Sequence, residues 1–195
     1  MKWYESLNKQ SLTLIDLYNR REELDKEFDK YISFVKNIKG KLYFTGVGKS
    51  GFVGKKVAST YNSLGIVSSF IDPIDTLHGD MGIFTKRDAV IFISKSGETR
   101  ELFKIFDELK NRGIKLIAIT ANPTSYLANN ADLKLVIPIK EEGDFLNNLV
   151  PLASTIAFEA VLQALAVEIS SSRGFTLEDF VYGHPGGKIG ETKVN

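Results

Sequence analysis

Two short stretches place hydroxyls and a lysine inside glycine-rich turns: Gly46-Val47-Gly48-Lys49-Ser50-Gly51 and Ser94-Lys95-Ser96-Gly97-Glu98-Thr99. Glycine permits the tight backbone that lets N–H groups converge on an anion, and a helix starting there adds its positive end. In the first turn Gly48 opens the backbone, while Lys49 and Ser50 offer a charge and a hydroxyl. In the second, Ser94, Ser96 and Thr99 surround Gly97, and each can donate to a phosphate oxygen. Helix capping by Ser96 accounts for one hydroxyl but not for three. Two such turns on one sheet predict a small phosphorylated ligand held from two sides.

Groups able to move protons lie nearby in the sequence. Glu98 and Glu101 open the element after the second turn. Acids in a first helical turn commonly serve the helix dipole, and this suffices for at least one of them. A carboxylate beside a bound phosphosugar could also shuttle a proton between C1 and C2 of an enediol. The two histidines, His78 and His184, sit in glycine-rich segments away from any apolar stripe. Imidazole suits proton transfer to a sugar ring oxygen near neutral pH. Lys49 either neutralises phosphate or polarises a substrate oxygen as charge develops; the residue types leave both open. Two distant histidines and scattered acids show no metal-ligand spacing, so no metal is expected.

Two other nucleotide motifs come close. Gly46-x-Gly48-x-x-Gly51 matches a dinucleotide fingerprint, with Asp72 about 20 residues on, where a ribose-binding acid belongs. Against it stand Lys49 and Ser50 inside the turn, the second anion loop, and the lack of a following catalytic domain. A P-loop would need glycine at position 43, which is Tyr43.

These turns need a scaffold, and the hydrophobic pattern supplies one. Residues 5–38 read as one long or two shorter helices, with Leu7, Leu14, Ile15 and Tyr18 on one face and Leu24, Phe28, Tyr31, Ile32 and Val35 on the next. This arm precedes the first strand and has little sheet to cover, so a partner subunit is its expected contact. Strands are expected at 42–45, 66–71, 89–93, 114–120 and 133–137. Helices are expected at 49–64, 99–112, 125–130, 151–170 and 177–182, with Gly65 and Gly113 as C-terminal caps. Ile156, Ala157, Ala160, Val161, Ala164 and Leu165 read as the buried face of the helix over 151–170. Alternating strands and helices predict a parallel sheet covered on both faces, with ligands beyond the C-terminal strand edge. Both glycine turns follow strands and therefore lie at that edge.

The bulk composition narrows the classes. The chain has 195 residues, a formal net charge of +1, a 43% hydrophobic fraction and no cysteine. That length fits one α/β domain over 1–195. Spread, balanced charge gives no nucleic-acid footprint. Absence of cysteine excludes disulfides and fits a reducing cytoplasm. The N-terminus shows no apolar signal core, and no apolar run reaches the roughly 20 residues a bilayer span requires, so no membrane partner is expected.

Four blocks together resemble the sugar isomerase (SIS) domain of arabinose-5-phosphate isomerases. They are Gly46–Gly51, His78-Gly79-Asp80-Met81-Gly82, Ile93–Thr99 and His184-Pro185-Gly186-Gly187, in the family's order and at about its spacing. The resemblance runs from about residue 38 onward. It implies a flavodoxin-like three-layer sandwich with a five-stranded parallel sheet, a helical arm over 1–38 and an active-site tail over 175–195. It implies interconversion of D-ribulose 5-phosphate and D-arabinose 5-phosphate through a cis-enediol without a cofactor, feeding synthesis of Kdo (3-deoxy-manno-octulosonate) for lipopolysaccharide or capsule. It also implies a homotetramer whose active sites take residues from neighbouring subunits.

By that resemblance Ser50, Ser94, Ser96 and Thr99 hold the phosphate. Lys49 matches the active-site lysine, Glu101 the acid one turn beyond the serine loop, and His78 and His184 the histidines of the middle loop and tail. Glu142 falls where a further acid lies, in a loop that is longer here and has Glu141 adjacent. The histidines are candidates for ring opening and Glu101 or Glu142 for the proton shuttle. Three features depart from the pattern. Lys95 replaces the usual asparagine between the serines, Phe52 stands where histidine is common, and the sequence ends at Asn195 before any pair of CBS domains. Two rival readings remain: another phosphosugar isomerase such as a 6-phospho-3-hexuloisomerase, and a non-catalytic sensor of a phosphosugar or Kdo-nucleotide.

Overall fold

The computed structural model describes residues 1–191; the last four residues of the expected tail, 192–195, lie outside the described residues. Two helices come first, α1 (Trp3–Asn19) and α2 (Arg21–Asn37). They are separate because Arg20 leaves helical geometry, with its side chain turned onto Glu23 at 2.7 Å. There follow β1 (Leu42–Thr45), α3 (Lys49–Ser63), β2 (Ser68–Phe70), α4 (Pro73–Leu77), β3 (Ala89–Ile93) and α5 (Phe103–Asn111). The chain continues through β4 (Lys115–Thr120), α6 (Tyr126–Asn130), β5 (Leu133–Val136), α7 (Ala153–Ser172), α8 (Leu177–Tyr182) and α9 (Gly187–Gly190).

The strands form one parallel sheet in the order β2-β1-β3-β4-β5. This is the flavodoxin-like winding expected, and it reverses direction between β1 and β3. Alternation along each strand divides the core into two layers. Leu42, Phe44, Ala89, Ile91, Ile93, Ile117 and Ile119 pack with α2, α3 and α7. Tyr43, Val90, Phe92, Leu116 and Ala118 pack with α5 and α6. β3 lies at the middle of the sheet, with every residue buried, as an apolar run covered on both faces must be.

α1 packs on α7 and on the segment after β5, within the same chain. Leu17 is buried and Leu14 packs against the core, whereas Leu7, Ile15 and Tyr18 stay exposed. The stripe read as one face is thus divided between two. The α2 stripe of Leu24, Tyr31, Ile32 and Val35 is buried as read. On α7 Ala157, Val161 and Leu165 are buried as expected, but the buried face extends to the other side of that stripe. Phe158, Leu162, Ala166 and Ile169 point inward, while Ile156 and Ala164 are exposed. α7 is long and apolar enough, by length and composition, to cross a membrane, which no run in the sequence suggested. Here it is the central helix of one layer, packed on α1, α2 and α3.

Candidate active site

The switch between β1 and β3 brings the two glycine turns together. Gly46 lies so close to the end of β3 that a Cβ there would sit 2.9 Å from the Ile93 carbonyl oxygen. Gly51 closes the same turn, since a Cβ on it would meet the Gly46 oxygen at 2.7 Å. Gly48 has φ +58° and open space where a side chain would be. This turn delivers the chain directly into α3 at Lys49, so the free N–H groups and positive end of α3 face the crevice mouth.

The second turn is wound on itself. Ser94, buried at the end of β3, accepts the Gly97 N–H at 3.1 Å and shares a hydrogen bond with the Thr99 hydroxyl at 2.8 Å. Ser96 is exposed and accepts the Glu98 N–H at 3.1 Å. Gly97 has φ +65°, and a Cβ there would collide with the Ser125 side chain. Ser94 therefore shapes the turn, whereas Ser50, Ser96 and Thr99 retain accessible surface for a ligand. Thr99 does not begin an α-helix as expected. A 3-10 turn over Arg100–Leu102 intervenes, and α5 starts only at Phe103.

Glu98 is spent structurally. Its carboxylate accepts the Tyr126 N–H at 2.7 Å at the start of α6. Asp72, the acid suited to a ribose, caps α4 through the Ile74 N–H at 2.8 Å. Glu101 is exposed on the 3-10 turn, and α4 packs against that turn, bringing the His78 segment to the same edge. Lys49, His78 and Glu101 are exposed and make no side-chain hydrogen bond or ion pair among the described residues.

A third loop joins the crevice after β5. Within it Glu142 has no exposed surface. Its Oε2 accepts the Leu152 N–H at 2.8 Å and the Ser154 N–H at 2.9 Å, both at the start of α7. Its Oε1 lies 2.6 Å from Lys95 Nζ, between the two serines. Burial by itself raises this carboxyl's pKa; Lys95 and the N–H donors outweigh it and hold the pKa below the ordinary value. Asp144 ties the loop together, accepting N–H bonds from Leu146, Asn148 and Val150. Asn147 and Asn148 take positive φ to make this winding possible.

His184 stands apart. Its Nδ1 is 2.6 Å from the Phe180 carbonyl oxygen, and its ring stacks on Phe180. A carbonyl only accepts, so Nδ1 carries the proton and Nε2 is the basic nitrogen. The tail leaves the body at Phe175, packed on Gly65 at the end of α3 remote from Lys49. That end is about 20 Å from the crevice by helical rise. Among the described residues no hydrogen bond or ion pair joins His184 to Lys49, Glu101 or Glu142.

The fold defines a doubly wound parallel α/β protein with two glycine turns meeting in a crevice at its switch point. The SIS domain family profile matches residues 36–168, and the chain belongs to that family. It is 42% identical over 175 residues to the arabinose 5-phosphate isomerase KpsF of Escherichia coli O6:H1 strain CFT073, covering 89% of this chain and 53% of the relative. It is 44% identical over 152 residues to the arabinose 5-phosphate isomerase KdsD of Pseudomonas aeruginosa PAO1, covering 78% of this chain and 46% of the relative. The chain thus spans about half the length of the curated relatives it matches. A protein of E. coli CFT073 solved in complex with arabinose 5-phosphate superposes with a TM-score of 0.82 at 35% identity, covering 95% of this chain and 100% of that one.

Sequence reasoning missed the role of Lys95, which it treated only as a departure from pattern. A charged side chain flanked by the two serines of the glycine turn was the available signal. Its partner became visible only when the loop after β5 folded back.

Proposed function

We propose that this chain is an aldose–ketose isomerase interconverting D-ribulose 5-phosphate and D-arabinose 5-phosphate, at the entrance to Kdo synthesis. The observation that carries this reading is the meeting, at one sheet edge, of two anion turns with a buried, charge-paired carboxylate. The arabinose 5-phosphate complex of a similar chain and the names of the curated relatives support it.

In this reading the phosphate binds Ser50, Ser96, Thr99 and the N–H groups at the start of α3. Ser94 and Gly97 keep the second turn in shape. Ring opening moves a proton onto the ring oxygen and another off the anomeric hydroxyl, work for His78 and His184. A carboxylate, Glu101 or Glu142, then takes the C2 proton of the aldose. The electron pair left at C2 forms the C1–C2 double bond of a cis-enediol as the carbonyl oxygen gains a proton. Return of a proton to C1, with loss of one from the C2 hydroxyl, yields the ketose. Lys49 stabilises the oxygen on which negative charge develops. His184 reaches the site from a neighbouring copy in a homotetramer, and the reaction takes place in the cytoplasm.

The test is proton NMR with ribulose 5-phosphate in deuterated water. Arabinose 5-phosphate carrying deuterium at C2 is the expected product. Binding of the sugar without product or exchange would overturn the isomerase in favour of a sensor. Turnover of a hexulose phosphate alone would reassign the substrate.

A further inference from the structure

Lys95 belongs by position to the phosphate turn and by contact to the acid loop. Its backbone is pinned to β4, because its carbonyl accepts the Ala121 N–H and the Thr120 hydroxyl, each at 2.9 Å. Its side chain leaves the turn and places Nζ 2.6 Å from Glu142 Oε1. Oε2 is already occupied by two N–H groups of the α7 start. Oε1 accepts no well-oriented hydrogen bond, so the ammonium is its charge partner.

The other charges nearby are accounted for. Asp144 feels Lys95 but is engaged by backbone N–H groups of its own loop. Glu141 points the other way and pairs with Lys9 on α1 at 2.7 Å. The start of α7 adds a partial positive charge on the Oε2 side. The cation at Oε1 is therefore Lys95. A phosphate dianion bound at Ser96 and Thr99 would repel a carboxylate in the adjoining loop, and a cation shared by both removes that conflict.

We propose that Lys95 is a positioning residue of this site, whose ammonium keeps Glu142 charged and aligned while phosphate occupies the turn that Lys95 itself forms. The inference rests on the reading of that turn as the substrate-phosphate site. It makes Lys95 the electrostatic link between phosphate binding and the acid.

The test follows the Glu142 carboxyl by carbon NMR in protein labelled with carbon-13 at glutamate, its signal assigned by loss in Glu142→Gln. Wild type, Lys95→Met, Lys95→Asn and Lys95→Arg are compared with and without inorganic phosphate. In the Met and Asn variants the Glu142 midpoint is expected to rise by about one to three pH units. In Lys95→Arg it stays near the wild-type value. Added phosphate raises the midpoint further in the Met and Asn variants but little in wild type. In turnover, Lys95→Met lowers kcat more than it raises KM and moves the acid limb of the kcat profile upward by the same interval; Lys95→Arg restores both.

A Glu142 midpoint unchanged within a few tenths of a pH unit in folded Lys95→Met and Lys95→Asn would overturn the proposal. A loss of activity that Arg does not restore, with no change in the pH profile, would reduce Lys95 to a packing role and also overturn it. If wild type binds inorganic phosphate and shows the titration shift but converts no pentulose phosphate, the isomerase reading fails while the phosphate-linked ion pair stands.

Discussion

Glu141 and Glu142 are neighbours in the chain and end in opposite environments. Glu141 reaches outward to Lys9 of α1 at 2.7 Å. Glu142 has no exposed surface and turns inward to Lys95 at 2.6 Å. The sequence left the two hard to separate, and the fold distinguishes them by burial and partner. Replacing Glu142 with Gln is expected to lower the rate of C2 exchange by about 100- to 10,000-fold, the usual cost of losing an acid–base group. Glu141→Gln should stay within a few-fold of wild type, because its exposed ion pair contributes little. Deuterium wash-in at C2 measures both.

Lys49 stands at the first position of α3, exposed and without an ion pair among the described residues. Lys49→Ala is expected to reduce kcat by about 100- to 1,000-fold, comparable to losing one transition-state donor. His184→Ala should lose activity as well, and mixing it with Lys49→Ala protein under subunit-exchange conditions should recover part of it. Recovery in the mixture is the specific sign of sites built across copies, read by the same NMR assay.

Acid should weaken the fold through Asp88 and Glu142. Burial opposes ionisation of Asp88, but its N–H and hydroxyl donors, Lys41 and Thr85, hold its pKa below the ordinary value. Glu142 is lowered in the same direction. For a depressed carboxyl the stabilisation is fully present above the unfolded pKa, about 4 for these side chains, and is lost as pH falls through the folded value. Urea midpoints should therefore be flat near neutrality and fall below about pH 4.5. Asp88→Asn should remove part of that acid-side slope and cost about 1–3 kcal/mol at neutral pH, since buried donors lose their acceptor charge.

Gly97 has no room for a methyl group against Ser125 and takes positive φ. Gly97→Ala is expected to destabilise the protein by at least about 1 kcal/mol and to weaken inorganic phosphate binding, because the turn must open. Thermal unfolding and calorimetric phosphate titration check the two effects. Gly97→Ala in combination with Ser125→Gly, which frees the space but not the φ requirement, should recover only part of the stability.

α1 exposes Leu7, Leu12, Ile15 and Tyr18 beside its packed face. A run of apolar groups on one helix is the expected mark of a covered surface. Ile15→Glu with Tyr18→Glu should shift the sedimentation coefficient toward the monomer while the far-ultraviolet circular dichroism stays unchanged. Unchanged sedimentation of a tetrameric protein would place the subunit contact elsewhere.

Much of this protein is determined by local pattern. The apolar runs at 42–45 and 89–93 and the glycines after them fix strand, turn and helix in order, because period and backbone freedom are local properties. That is why the sheet and the two glycine turns at its edge were legible from the chain alone. Tertiary structure decided what depends on approach between distant segments. It set which half of α1 faces inward, buried Phe158 of α7 rather than Ile156, and gave Glu98 to the start of α6. It also brought Lys95 to Glu142 across 47 residues of chain. No periodicity encodes that meeting: it exists because β4 and β5 extend the sheet on the β3 side and the loop after β5 then returns over the crevice. Burial at the start of α7 supplies the low-dielectric setting in which one lysine matters to one carboxylate.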